Sequence, residues 1–217
     1  MPSDIHIRNA DISDIDFVIE TIVQAEKGNG NCISYCKLFD ISEEEFRNVL
    51  KQILGEGINN FEFGLRNFKI AEAGGISVGA YSAWLENADG ISSGMLKISA
   101  LRSFIGKEKM ILYRKAATVT EQIAISRKPG TFQFESIFIK DGYRGKGIGN
   151  MLVQALLNEL SQKHPTVEIA EVQVIKQNSV SLQAHIGYGF YIAEEKTTPD
   201  PKILTFYSGN TRVLLQK

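Results

Sequence analysis

The run TFQFESIFIKDGYRGKGIGNMLVQALL, Thr131 to Leu157, constrains the fold more than any other stretch of the chain. Its first part alternates. Phe132, Phe134, Ser136 and Phe138 fall on one side, and Thr131, Gln133, Glu135, Ile137 and Ile139 on the other. Apolar residues on both sides predict a strand inside a sheet rather than at its edge. Ile148, Met151, Leu152, Ala155, Leu156 and Leu160 then recur at helical spacing. Between strand and helix lies Arg144-Gly145-Lys146-Gly147-Ile148-Gly149. The first N–H groups of a helix have no partner within it and carry partial positive charge. Glycine lets the backbone approach a ligand closely and take positive φ, and Arg144 and Lys146 add formal charge. Such a bend can hold a pyrophosphate. It can equally be a tight connection without a ligand. The spacing is not that of a Walker loop, which needs Gly-Lys-Ser/Thr. Nor is it that of a dinucleotide fold, because the three glycines stand two apart and the next strand runs into Lys176 and Gln177 rather than an acidic residue.

The rest of the chain fits one α/β domain. Ile5–Arg8 predicts a short strand, and Asp11 opens a helix whose stripe is Ile12, Ile15, Val18, Ile19, Ile22 and Val23, ended by Gly28 and Gly30. Ser42 and Glu45 form a capping box before Phe46, Val49, Leu50, Ile53 and Leu54. FKIAEA and ISVGAYSAWLE around Gly74-Gly75 predict a hairpin. Residues 87–130 form an insertion with some helix, rich in cations, whose apolar positions from Met95 to Ile105 must cover a neighbouring surface, either the side of a cleft or a subunit contact. Val167–Ile175 predicts a strand, the stretch after Asn178 a short helix, and Tyr191–Ala193 with Ile203–Tyr207 a last strand pair. With 217 residues and 43% hydrophobic content there is material for one well-buried core. The net charge of -1 supplies no global field for nucleic acid or membrane. No apolar run approaches the roughly 20 residues that span a bilayer, and the N-terminus lacks the features of a signal peptide, so a cytoplasmic protein is expected. Cys32 and Cys36 have neither a second pair nor a nearby histidine, so two reduced thiols and no metal site are expected.

Motif and element order together resemble the GNAT N-acyltransferases, whose phosphate signature is Arg/Gln-x-x-Gly-x-Gly/Ala. Here Arg144 to Gly149 carries it. The run from Asn178 to Gly189-Phe190 is similar to the family's next signature. The resemblance covers about residues 4–86 and 131–215 and is closest at 135–190; the 87–130 insertion has no counterpart in the family's minimal plan. It implies a GNAT acyl-CoA N-acyltransferase fold, α/β (α+β) in class. A mixed central sheet with flanking helices would form a single domain over 1–217, with the insertion between the third and fourth strands. It implies acetyl-CoA (coenzyme A) as co-substrate. Backbone groups of Arg144, Gly145, Lys146, Gly147, Ile148 and Gly149 would cradle the diphosphate. Main-chain groups of Ile137, Phe138 and Ile139 would meet the pantetheine arm, aided by Asn178 and Ser181. For Asn178 a plain helix N-cap is an equal reading.

Acyl transfer to an amine needs a neutral nucleophile, a stabilised oxyanion and a protonated leaving thiolate. Glu135, placed by alternation on the face of Ile137 and Ile139, is the candidate base, since phenylalanine neighbours would raise its pKa. A solvent-exposed or lysine-paired glutamate is the competing reading. For the acid, the family commonly has a tyrosine seven residues after the asparagine. Here that position is His185, and Tyr188 stands three residues on. Either could donate, or neither, with His185 only filling space. Glu26, Glu43, Glu44, Glu45, Glu72 and Glu86 lie where the family builds its acceptor pocket, and Tyr81, Trp84, Phe61 and Phe63 would line it or pack. The expected activity is direct transfer of an acetyl or other short acyl group, through a ternary complex, to a primary amine of a small molecule or peptide. No nucleic-acid or membrane partner is expected, and a homodimer is left open. A GNAT-like module that binds acyl-CoA without turnover is the alternative.

Overall fold

In this computed structural model, residues 5–28, 30 and 32–217 are described. A seven-stranded sheet has the order β1-β2-β3-β4-β5-β7-β6. Only β4 and β5 run parallel; all other neighbours are antiparallel. The strands are β1 (Ile5–Asn9), β2 (Phe68–Ala73), β3 (Ile76–Leu85), β4 (Phe132–Ile139), β5 (Ala170–Ile175), β6 (Tyr191–Thr197) and β7 (Thr211–Gln216). The helices are α1 (Ile15–Lys27), α2 (Ser34–Phe39), α3 (Glu43–Gly55), α4 (Ser93–Ile105), α5 (Lys107–Thr120), α6 (Ile148–Lys163) and α7 (Ser179–Gly187). None of the described helices is long and apolar enough to cross a membrane.

One face of the sheet is covered by α1 and α3, whose Val18, Ile22, Phe46 and Leu50 pack with Phe68, Ile70 and Ala80. The other is covered by α6, whose Leu152, Val153 and Leu156 pack with Val78, Phe134 and Val172. The insertion is two helices broken at Gly106, where φ is +90°. Its Ala100, Leu101, Met110 and Ala116 join the α1–α3 side, and Tyr113 stacks on Phe39 at 5.0 Å.

Local sequence explains most element starts. Ser42 and Glu45 form the expected reciprocal cap on α3. Gly74 and Gly75 take positive φ at the β2–β3 turn. Asp11 and Asp14 also form a capping box, but it opens a 3-10 turn over Ile12–Asp14, and α1 follows. Ile12 is therefore 68% exposed and drops out of the predicted stripe. The helix α2 had no sequence forecast. The last strand also moves. Ile203–Tyr207 is not a strand, because Pro201 opens a 3-10 turn capped by the Asp200 side chain. The strand that pairs with both β5 and β6 is Thr211–Gln216.

The most consequential irregularity lies in β4. Ser82 pairs with Glu135 and Ala80 with Phe138, so Ser136 and Ile137 together stand opposite Tyr81. Ser136 takes φ +57°, in the left-handed region. This bulge inverts the alternation. Phe132 and Phe134 face α6, whereas Phe138 meets Phe17 of α1, with ring centroids 6.4 Å apart. Ile137 and Ile139 pack on the α6 side. The sequence pattern had put Phe138 with Phe134, and Glu135 with Ile137 and Ile139; the extra residue breaks both groupings. Beyond the bulge β4 also parts from β5, with which it pairs only over Phe132–Phe134.

The left-handed conformation costs an L-residue about 1–2 kcal/mol, and a β-branched side chain resists it more than serine does, by up to about that amount. Ser136→Val is thus expected to lower the urea midpoint by that equivalent, while Ser136→Gly holds it. Equal midpoints for the valine variant and the parent would show that the backbone relaxes out of the bulge.

Candidate active site

A cavity of about 720 Å³ opens where β4 and β5 diverge. One part of its wall is the glycine bend. Gly142, Gly145 and Gly147 all have positive φ, between 73° and 81°. The helix α6 begins on Gly147 with no side-chain cap, leaving its first N–H groups without that partner. A Cβ added at Gly145 or Gly147 would meet nothing within 4 Å, so the backbone there faces open space. Arg144 braces the bend: its Nε donates to the Ile139 carbonyl at 3.0 Å, and its Nη1 pairs with Asp141 at 3.1 Å. Arg144, Gly145, Gly147, Ile148 and Gly149 line the cavity, as do Ile137, Phe138 and Ile139. Lys146 does not line it; its ammonium sits 5.0 Å from the centre of the Tyr143 ring. Asn178 and Ser181 line the cavity too, and the Ser181 N–H donates to the Asn178 side chain at 3.2 Å, so Asn178 is an N-cap of α7.

His185 and Tyr188 both reach this cavity. His185 is 1% exposed. Its Nδ1 lies 2.7 Å from the Ser181 carbonyl and its Nε2 2.5 Å from the Tyr81 hydroxyl. A carbonyl can only accept, so Nδ1 carries the proton and Nε2 accepts from Tyr81. Burial pushes the imidazole down to about 4, against the Ser181 hydrogen bond. Tyr188 is half-buried, which raises its phenol. Its hydroxyl occupies the space where a Cβ on Gly149 would lie.

The other part of the wall is a charged network. Glu62 is almost fully buried between Phe61 and Phe63. It accepts from the Tyr35 hydroxyl at 2.5 Å, Lys97 at 2.7 Å and Arg127 at 3.0 Å. Burial alone would raise the Glu62 carboxyl, but Lys97 and Arg127 outweigh it and hold it well below the usual range. Arg127 reaches Glu135 at 2.5 Å and lies over the Trp84 ring at 5.1 Å. Glu135 is therefore tied to an arginine on the α1 face of the sheet.

Of the acidic residues expected at an acceptor pocket, only Glu26 lines this cavity. Glu43 pairs with Lys27 and Arg47, Glu45 caps α3, and Glu72 pairs with Arg8. Glu86 is buried, accepting from Trp84 Nε1 and the Ser93 N–H. Tyr81 lines the cavity, while Phe61, Phe63 and Trp84 pack in the interior. Glu62, Arg127, Lys97 and Tyr35 were not singled out as site residues from the sequence. The signal for Glu62 was there, a charge set inside the aromatic run Phe61–Phe63. Arg127 and Lys97 were hidden among the insertion's other cations. Cys32 and Cys36 are free thiols, and burial pushes Cys36 up to about 11.

Fold and site together define an acyltransferase of the mixed-sheet type whose fourth and fifth strands splay around an uncapped helix start. Residues 86–198 match the family model for the acetyltransferase (GNAT) domain, and the chain belongs to that family. No curated protein sequence matches it. An N-acetyltransferase from Staphylococcus aureus Mu50 shares the fold at 13% identity and TM-score 0.61, over 98% of this chain and 100% of that one. The protein yncA from Salmonella typhimurium, solved with its cofactor acetyl-CoA, does so at 14% identity and TM-score 0.54, over 99% of this chain and 94% of its own. An aminoglycoside acetyltransferase in complex with coenzyme A aligns at 15% identity and TM-score 0.52, over the same shares.

The buried histidine makes stability pH-dependent. Its folded pKa of about 4 lies below the ordinary 6.5, so the unfolded chain binds the extra proton first. The neutral imidazole's contribution is complete above 6.5 and is lost as pH falls toward 4, on the order of 3 kcal/mol in all. In urea titrations between pH 7 and 4.5, His185→Phe should lose stability less steeply than the parent. Parallel curves would show that the fold does not hold the His185 pKa below its ordinary value.

Proposed function

We propose that the protein moves an acetyl group from acetyl-CoA to a primary amine of a small molecule or peptide, by direct transfer in a ternary complex. One observation carries this reading. An uncapped, glycine-flanked helix start and an unpaired strand edge open onto one cavity, whose far wall holds ionised side chains. The first suits a diphosphate. The second suits the amide-bearing pantetheine arm, which can pair with β4 beyond Phe134 as a missing neighbour strand would. The solved relatives that hold acetyl-CoA or coenzyme A support the choice of co-substrate.

In this reading the N–H groups from Gly145 to Gly149 bind the diphosphate and Arg144 stiffens the bend. A main-chain N–H of β4 past the bulge stabilises the oxyanion. The incoming amine sheds a proton to a carboxylate of the cavity wall. Tyr188 donates to the departing thiolate. What supports Tyr188 over His185 is burial: a neutral imidazole whose one N–H is held by Ser181 has no proton to give. His185 instead fixes Tyr81, whose hydroxyl it accepts. Burial makes the Tyr188 phenol a weaker acid than a thiol near 8.5, so this transfer is uphill and is completed when the phenolate recovers a proton from water.

Acetyl-CoA at about 100 times its dissociation constant should stabilise the fold by roughly 2.7 kcal/mol, read as a melting shift. Gly147→Asp, which puts a carboxylate at the start of α6, should abolish that shift. No shift in the parent protein would remove the reading. For catalysis, Tyr188→Phe is expected to lower turnover by ~10²-fold or more, and His185→Phe to keep the parental pH profile. A His185→Phe profile that loses a limb would return the acid role to the histidine. Measurable release of free coenzyme A with an amine separates an enzyme from a binding module.

A further inference from the structure

The cavity wall contains three carboxylates, and their surroundings differ. Glu62 is satisfied by Lys97, Arg127 and Tyr35. Glu135 is satisfied by Arg127. Two carboxylates and two cations therefore cancel within one network. Glu26, in the last turn of α1, is left over. Its Oε2 accepts from the Ser34 N–H at 3.2 Å and from the Ser34 hydroxyl. Its Oε1 takes no hydrogen bond from the described residues, and none of their cations lies within ion-pair distance of either oxygen. Such a half-buried carboxylate, beside two others on the wall of one cavity, is disfavoured as an anion unless something cationic joins it.

We infer that Glu26 is the acceptor's anchor and the base of the reaction: it binds the amine as an ammonium ion and then takes its proton. The inference rests on the acetyl-transfer reading and deepens it by naming the acceptor class, an alkylamine that enters as a cation. It also moves the base from Glu135, the sequence candidate on β4, to α1. Glu135 becomes a positioning residue, holding Arg127 against Glu62 and so fixing the wall that faces Glu26.

The electrostatics agree with the geometry. Burial pushes the Glu26 carboxyl up to about 7; Ser34 opposes this, Glu135 and Glu62 add to it, and Lys97 opposes it. Tyr35, Cys32 and Cys36 also face this region, and burial raises all three, so they stay uncharged near neutrality. A base that titrates near the operating pH is well matched to proton transfer. The reaction balances as follows. The ammonium gives one proton to Glu26, which later releases it to water. The neutral nitrogen attacks the thioester carbonyl, and the C–S bond breaks as the amide forms. The nitrogen's second proton passes to water, the thiolate takes one from Tyr188, and the Tyr188 phenolate recovers a proton from water, so amide and free thiol result and one proton is released overall.

The test uses full-length Glu26→Gln, Glu26→Asp and Glu135→Gln, with cadaverine as the cationic probe and 4-methylaniline as a probe uncharged at neutral pH. Acetyl-CoA binding is first read as a melting shift in each. Loss of the shift in the parent protein defeats the acetyl-transfer reading itself, and the inference with it. With binding intact, Glu26→Gln is expected to lower kcat/KM for cadaverine by ~10²- to 10⁴-fold. It should erase the acidic limb of the kcat profile and leave any 4-methylaniline rate within a few-fold. Glu26→Asp should restore part of the cadaverine rate and the limb. Glu135→Gln should lower the rate while keeping the limb. A Glu26→Gln protein that retains the parental cadaverine rate or limb overturns the inference. So does loss of the limb in Glu135→Gln alone, or no turnover of cadaverine by a parent protein that binds acetyl-CoA.

Discussion

A single left-handed residue inside a strand, Ser136, organises the site. A strand in regular alternation would put Ile137 and Ile139 on the α1 side with Glu135, and Phe138 on the α6 side with Phe134. The bulge inserts one residue against Tyr81, changes which side chains face α1 and which face α6, and comes just after the last β4–β5 pair. Backbone groups of β4 past that point are left without a neighbour strand, and the cavity opens between the two. A buried unpaired backbone group is unfavourable, so such an opening persists where a ligand or water can satisfy it. The glycine bend continues the same edge directly, because β4 ends at Ile139 and α6 starts nine residues later at Ile148.

The second organising element is a charge network that spans three parts of the chain. Glu62 precedes β2, Lys97 lies on the inserted helix α4, and Arg127 lies between α5 and β4. Burying Glu62 would be costly by itself; Lys97 and Arg127 make it tolerable, and each cation is in turn held by more than one acceptor or ring. The insertion is thus tied into the cavity wall by ion pairs as well as by the packing of Leu101 and Met110. Rigidity there matters for the site. A wall whose own charges are balanced leaves Glu26 as the side chain whose charge a bound cation can complete.

Much of the fold was legible because it is written in local periodicity. The β2–β3 hairpin, the helical start at Asp11, the capping box at Ser42, the interior strand β4 and the helix α6 follow from alternation, cap residues and glycine, which act over a few residues. Departures occurred where local signals compete. Ile203–Tyr207 has strand-like composition, but Pro201 and Asp200 dictate a turn. Ile12 has the right spacing for α1 but sits in the 3-10 turn that precedes it. The bulge at Ser136 had no local signal, since serine is an ordinary strand residue and its φ is set by the pairing of β3 with β4.

By itself the sequence determined the glycine-rich bend, the strand and helix that flank it, and the position of His185 seven residues after Asn178. Those depend on residue type and spacing alone: glycine for positive φ, an N-terminus for its free N–H groups, a cap for its side-chain oxygen. Only the tertiary structure decided what the candidate side chains meet. His185 is neutral because the fold buries it against Tyr81 and Ser181. Glu135 is engaged because Arg127 arrives beside it from the end of the insertion. Glu26 stands apart because no cation of the described chain comes within reach. Burial and charge pairing are properties of residues distant in sequence brought together, and the chain's order of letters carries them only through the fold.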